Sequence, residues 1–165
     1  MLSVIILAAG QSKRMNSKVP KVLHPLGGLP MIQHVIKAVQ GVKPHQIIVV
    51  TSPALGSRFD GYATVIQEAP KGTGHAVQLA LTAVNEKSKD VIILCGDTPL
   101  IQPQTLQMLN ESEADLTLVA MRLESQNHAY GLVFQDAKGK PKEIIEFNDA
   151  NIVQRRIRSG NTGVY

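Results

Sequence analysis

The chain has one cysteine, Cys95, so it can form no intrachain disulfide. Nothing in it asks for an oxidising compartment, and a reducing cytoplasm is the expected setting. Tryptophan is absent and aromatic residues make up only 4%, too few to build the stacking platforms on which single-stranded nucleic acids lie. Neither charge sign dominates: 17 basic residues face 13 acidic ones, a net charge of +4. That excess is too small for a nucleic-acid face, but it suits an anionic small molecule. No apolar run approaches the roughly 18 residues that a bilayer crossing needs, and only Met1, Leu2 and Ser3 precede the first apolar run, so neither a membrane span nor a signal peptide is expected. The five histidines, His24, His34, His45, His75 and His128, follow no zinc spacing. Most are expected on the surface or in packing, with His75 in the first turn of a helix, and no Ser-His-Asp arrangement can be picked out.

What is present is an alternation. At 165 residues the chain has the length of one domain and can bury about 70% of its unfolded surface without a disulfide or structural metal. Near-continuous apolar runs at 4–7, 47–50, 64–66 and 91–94 predict strands buried on both faces, as in a parallel sheet. Between them, Met31, Ile32, Val35, Ile36 and Val39 keep helical spacing after Pro30. Ala76, Val77, Leu79, Ala80, Leu81 and Val84 form a second helical face, with Thr73 as its expected N-cap. A third helix is predicted to begin near Pro103 and to carry Leu106 and Leu109. The fold class this implies is α/β, a doubly wound, mostly parallel sheet. After Asp115 the pattern changes. A strand is predicted over 116–121, and strands at 132–135 and 143–146 flank a turn at 136–140, a β-hairpin. The expected organisation is one domain over 1–165, with about 1–115 as its first part and about 116–165 as its second.

Three segments carry chemistry. The first is Leu7-Ala8-Ala9-Gly10-Gln11-Ser12-Lys13-Arg14-Met15, followed by Pro20-Lys21. A buried strand ending in small residues exposes backbone N–H groups that can wrap phosphate oxygens. Arg14 and Lys21 add fixed positive charge, which suits a nucleoside triphosphate. The loop lacks the Gly-Lys-Ser/Thr end of a Walker-type loop and the three glycines of a dinucleotide loop; an ordinary strand-to-helix turn is the structural alternative. The second segment is Cys95-Gly96-Asp97-Thr98-Pro99-Leu100. Asp97 follows a strand at the edge where α/β folds bind ligands. One carboxylate can anchor Mg²⁺, because that ion keeps waters and takes phosphate oxygens as its other ligands; the alternative is an Asp that caps a turn. The third is Gln67 to Ala76, where Gly72 permits close backbone approach to a flat base and the Gln67 amide can both donate and accept. Gly72-Thr73-Gly74 also resembles an incomplete dinucleotide fingerprint, but Val77 breaks it. Cys95 is expected to be a buried strand residue, and Arg155, Arg156 and Arg158 a solvated basic run.

The early loop resembles the Leu-Ala-Ala-Gly-x-Gly-x-Arg-Met signature of sugar nucleotidyltransferases, with Ser12 where that family has its second glycine. Pro20-Lys21-Val22-Leu23-His24-Pro25-Leu26, Gly72-Thr73-Gly74-His75-Ala76, Gly96-Asp97-x-Pro99-Leu100, Tyr130-Gly131 and Asn161-Thr162-Gly163 are similar to the N-acetylglucosamine-1-phosphate uridylyltransferase family within that group, from Ile5 to Tyr165. The resemblance implies a nucleotide-diphospho-sugar transferase fold of Rossmann-like type with a small hairpin part that binds sugar. It also implies transfer of UMP from UTP to a sugar 1-phosphate to give UDP-N-acetylglucosamine, a cell-wall precursor. It implies catalytic roles for Arg14 and Lys21. Nucleotide contacts fall to Leu7, Ala8, Ala9, Gly10, Lys21, Gln67, Gly72 and Thr73, Mg²⁺ to Asp97, and the amino sugar to Gly131, Glu146 and Asn161. The family's second metal ligand, an asparagine beyond the Asn-Thr-Gly strand, and its β-helical acetyltransferase domain have no counterpart here. Thr162 to Tyr165 reads as a strand just beginning, so the fold is expected to be C-terminally incomplete, with an unpaired edge that would invite a homo-oligomer. Two alternatives stay open: a non-catalytic remnant that binds nucleotide, and a related nucleotidyltransferase with another base or acceptor.

Overall fold

The structure, a computed structural model, describes residues 1–10, 15–125 and 129–165, and it separates into two compact units, residues 1–114 and 115–165. The first unit is built on four strands, β1 (Leu2–Leu7), β4 (Gln46–Thr51), β5 (Ala63–Ile66) and β6 (Asp90–Cys95), in the order β5-β4-β1-β6. All of their pairings are parallel, as the apolar runs predict. Between β1 and β4 lie a short hairpin, β2 (Pro25–Leu26) with β3 (Leu29–Pro30), and helix α1 (Met31–Gly41). Helix α2 (Thr73–Leu81) precedes β6, and α3 (Pro103–Asn110) follows it.

Strand side chains alternate between the two faces of the sheet. On one face Ile5, Ile48 and Val50 pack with Ala76 and Ala80 of α2, joined by Leu7, Val65, Val91 and Ile93. Residues of the other parity, Val4, Ile6, Val49, Ile92 and Leu94, are also buried. On α1, Ile32, Val35, Ile36 and Val39 are fully buried, as is Leu106 of α3. Helices α1 and α3 pack against each other, and α3 against β6. With both faces covered, the strands can be apolar at every position, which is why they were readable as runs rather than as alternations.

Two expectations for this unit change. Thr73 is not the N-cap of α2 but its first helical residue; the cap is Gly72, at φ 99° and ψ 175°. That backbone region is open essentially to glycine alone. The β2–β3 hairpin was not anticipated, and its turn, Gly27-Gly28, has φ of 56° and 84°, the two positive values a two-residue hairpin loop requires.

The second unit is an antiparallel sheet in the order β7-β10-β8-β9, from β7 (Ala120–Arg122), β8 (Leu132–Gln135), β9 (Pro141–Ile145) and β10 (Ser159–Asn161). The β8–β9 hairpin forms as expected, its turn tied by Asp136 Oδ1, which accepts from the Lys138 and Lys140 N–H groups at 2.8 and 2.9 Å. Leu123, Leu132 and Ala150 form its core with Met121, Phe134, Ile145, Phe147 and Ile157 around them. The strand predicted over 116–121 starts only at Ala120. The strand predicted over 162–165 does not form as a regular strand: Gly163 turns to φ 74° and donates its N–H to Asn161 Oδ1 at 3.1 Å, a local turn past which Val164 O still accepts from the Val119 N–H at 2.9 Å. β10 is an interior strand, paired with both β7 and β8.

Candidate functional site

Parallel register aligns the carboxyl ends of the strands. Leu7 stands opposite Val50 and Cys95, and Thr51 opposite Ile66. The segments leaving those strands therefore meet at one edge of the sheet. They enclose a cleft of about 400 Å³ lined by Leu7, Ala8, Ala9, Gly10, Lys21, Val22, Gln67, Pro70, Gly72, Thr73, Ala76, Cys95 and Asp97. Every nucleotide-site and metal-site residue expected from the sequence lies on this cleft except Arg14, which falls outside the described residues.

The loop after β1 leaves the sheet under backbone control: the Ala8 N–H donates to Val50 O at 2.7 Å. Ala8 and Ala9 are buried, and Gly10 is exposed. Lys21 opens a 3-10 turn, Lys21–Leu23, whose Val22 is buried beneath it. Asp97 follows Gly96, whose N–H donates to Leu7 O at 2.8 Å. A Cβ at Gly96 would stand 3.3 Å from Leu7 O, Val22 Cγ1 and Ile32 Cδ1 alike, so the absence of a side chain lets the Asp97 turn press against β1. The turn is closed by Thr98 Oγ1, which donates to Cys95 O at 2.7 Å. Across the cleft edge Lys21 Nζ meets Asp97 Oδ2 at 2.6 Å.

This donor set fits one kind of metal. Among the described residues no three His, Cys, Asp or Glu side chains converge into a cage. Asp97 offers a single carboxylate, about one-third exposed, so a bound cation would have to complete its shell with water and ligand oxygens, which is how Mg²⁺ binds phosphates.

Cys95 ends β6 half-buried at the cleft rather than fully buried as expected. Burial first, then the Asp97 carboxylate beside it, push its thiol from an ordinary 9.0 up to about 11, with Lys21 partly opposing. It remains a thiol at neutral pH and supplies no nucleophile.

Gln67 leaves β5 with its N–H donated to Thr51 O at 2.8 Å. The residue is only 6% exposed. Nε2 donates to Gly72 O at 3.1 Å and lies 3.0 Å from His75 Nδ1. The His75 contact was missed; the signal available was the eight-residue offset between a loop amide and the first turn of the following helix.

In the second unit Gly131, Glu146 and Asn161 come together. The Asn161 N–H donates to Gly131 O at 2.7 Å. A Cβ at Gly131 would approach Glu146 Oε1 to 3.2 Å. Asn161 Nδ2 donates to the Tyr165 hydroxyl at 2.7 Å. The basic run at 155–158 is only partly solvated. Arg155 is half-buried, its guanidinium 4.7 Å from the centroid of the Phe147 ring and its Nε donating to Phe147 O at 3.2 Å. No described helix is long and apolar enough to cross a membrane.

A parallel sheet with helices packed on it and a cleft at the strand carboxyl ends define an α/β protein, Rossmann-like in build. The chain belongs to the MobA-like NTP transferase domain family, which matches over residues 4–137. Among curated proteins it is 38% identical to the bifunctional protein GlmU of Bordetella petrii over 99% of its own length. It spans only 38% of that relative. Among solved structures the fold is similar to the inositol-1-phosphate CTP transferase from T. maritima, with a TM-score of 0.76 at 19% identity, covering 98% of this chain and 68% of that one. It is also similar to Rv0371c from Mycobacterium tuberculosis H37Rv in a complex with manganese. There the TM-score is 0.56 at 22% identity, over 67% of this chain and 58% of that one.

Proposed function

We propose that the chain is a nucleotidyltransferase that moves UMP from UTP to N-acetylglucosamine 1-phosphate, giving UDP-N-acetylglucosamine and pyrophosphate. The observation that carries this is the convergence of the Leu7–Gly10 loop, Lys21, Asp97, Gln67, Gly72 and Thr73 on one cleft. The match to GlmU across 99% of the chain supports the choice of base and acceptor.

In the proposed reaction an oxygen of the sugar phosphate attacks the α-phosphorus of UTP. The bond from that phosphorus to the bridging oxygen breaks, and pyrophosphate departs with the electron pair. No protein nucleophile is required. The chain's contribution is to fix the reactants in line and to meet the charge that builds on the phosphates. The small residues Ala8, Ala9 and Gly10 give the phosphates access to backbone N–H groups. Lys21 meets phosphate charge, joined by Arg14. Gln67, Gly72 and Thr73 hold the uracil, and Gly131, Glu146 and Asn161 the amino sugar. Asp97 would hold a divalent cation, Mg²⁺ by its preference for oxygen; when bound, the cation neutralises phosphate charge. The manganese complex of the structurally similar Rv0371c is in keeping with a divalent ion at such a fold. This work would take place in the cytoplasm.

A second proposal is a related transferase with another base or acceptor, favoured by the fold's similarity to a CTP transferase. Pyrophosphate release is measured with each of UTP, CTP, ATP and GTP against N-acetylglucosamine 1-phosphate and inositol 1-phosphate. Turnover or tight binding with UTP alone supports the first proposal. Preference for CTP or a purine nucleotide overturns the first proposal and supports the second, and absence of both turnover and binding with all four nucleotides overturns both.

A further inference from the structure

Among the described residues Gln67 is the one buried polar residue lining the cleft, and the start of α2 fixes which way its amide turns. The Gly72 carbonyl can only accept, so the amide must turn Nε2 towards it, at 3.1 Å. The second Nε2 hydrogen then points at His75 Nδ1, 3.0 Å away, which must accept. Both N–H groups are committed to the first turn of α2, where Gly72 is the cap and His75 the third residue. The amide atom left for a ligand is Oε1. A half-turn of the amide would set Oε1 against the Gly72 carbonyl, oxygen to oxygen.

We propose that His75 is a specificity-determining positioning residue, whose Nδ1 locks the Gln67 amide with its oxygen towards the base and so selects uracil over cytosine. This rests on the uridine-nucleotide function proposed above. Uracil carries a donor at N3, which an amide oxygen accepts. Cytosine carries a lone pair at N3, which an amide oxygen repels and an amide nitrogen would welcome. With His75 removed, one inward bond remains in place of two. The amide then turns more freely and can present its nitrogen to cytosine.

The test is calorimetric titration of the full chain with Mg-UTP and with Mg-CTP, for the parent, His75→Leu, His75→Asn and His75→Gln. Asparagine places an acceptor near the Nδ1 position, whereas glutamine reaches towards Nε2 instead. The parent is expected to favour UTP. His75→Leu and His75→Gln should shrink the UTP-to-CTP affinity ratio about fivefold or more, the weight of one hydrogen bond, and His75→Asn should restore it. A merely structural role would weaken both nucleotides alike and leave the ratio unchanged. An unchanged ratio in His75→Gln, whether or not His75→Leu folds, overturns the proposal. A parent that prefers CTP or a purine nucleotide overturns the uridine function itself, a separate outcome visible before any variant is made.

Discussion

Lys21 Nζ and Asp97 Oδ2 lie 2.6 Å apart, although 76 residues separate them in the chain. The lysine comes from the turn after β1 and the aspartate from the turn after β6, and the Leu7–Cys95 pairing of those adjacent strands is what brings them together. Their side chains are 40% and 32% exposed, so the pair adds little to stability, in the range of about 0–1 kcal/mol. Its significance lies in placing one positive and one negative group at the mouth of the same cleft.

Removing the lysine charge should therefore affect phosphate binding far more than folding. Lys21→Met is expected to weaken UTP by about 10- to 100-fold, corresponding to a charge-assisted contact of roughly 1.5–3 kcal/mol. Uridine, which has no phosphates, should bind almost unchanged. Titration of the two ligands decides the matter, and equal losses would mean a damaged fold rather than a lost phosphate contact.

Asp97 should behave in opposite ways with and without metal. In Mg²⁺, Asp97→Asn is expected to weaken UTP, because the cation loses its protein ligand. In chelator the same substitution should leave UTP binding equal or tighter, because a carboxylate no longer repels the phosphates. Titration of UTP in both buffers separates the two cases. Equal weakening in both would remove the metal from the role assigned to Asp97.

The Cys95 thiol offers a probe of the same corner. With its pKa raised from 9.0 to about 11, its thiolate fraction near pH 8 falls about a hundredfold. Alkylation by iodoacetamide should be correspondingly slower in the folded chain than in urea. Asp97→Asn removes one of the two causes that raise the pKa, so it should shift the rate profile to lower pH. A profile with an ordinary midpoint in the parent would show that the thiol is not held in the half-buried place described.

Two glycines in one motif should respond differently to alanine. Gly72 has φ 99° and Gly74 has no positive φ, and nothing lies within 4 Å of a Cβ added at either. The difference is thus one of backbone strain alone. Gly72→Ala should cost about 1–3 kcal/mol, while Gly74→Ala, inside α2, should be neutral or stabilising by up to about 1 kcal/mol. Urea midpoints for the two variants test this, and a neutral Gly72→Ala would mean that the α2 cap relaxes.

The first unit was largely legible because its central strands β1 and β4 are buried on both faces and all four strands are mostly apolar. The cleft followed from them, since loops after parallel strands must emerge at one edge. Hydrogen bonds between a loop and a helix were not legible. Thr73 looks like a cap by residue type, yet Gly72 takes the role through a backbone angle that composition does not reveal. His75 gave no periodic signal, because its partner Gln67 lies outside the helix. The second unit was harder to read. Its strands are three to five residues long, several of their positions are exposed, and the Asn161–Gly163 turn ends the last of them where the residues alone suggested continuation.

Gly131 gives the sharpest test of the proposed acceptor site. It is buried immediately before β8, its carbonyl accepts from the Asn161 N–H, and it faces Glu146 closely enough that a Cβ would come within 3.2 Å of Oε1 and 3.1 Å of Ile144 Cγ2. Its φ is not in the left-handed region, so an added methyl group is opposed by those neighbours rather than by backbone strain. Glu146 is exposed and has room to move aside, which makes the expected effect on folding small and the effect on the local surface large. Gly131→Ala should therefore shift stability by about 1 kcal/mol or less, in the range of ordinary substitutions. It should leave UTP binding unchanged and raise the KM for the sugar 1-phosphate about tenfold. Glu146→Gln, which keeps the shape and removes the charge, should raise the same KM without moving the urea midpoint. Steady-state kinetics with the acceptor varied at saturating UTP, with UTP titration alongside, checks both. If the acceptor KM stays at the parental value in both variants, the sugar is held elsewhere and this corner of the second unit is structural only.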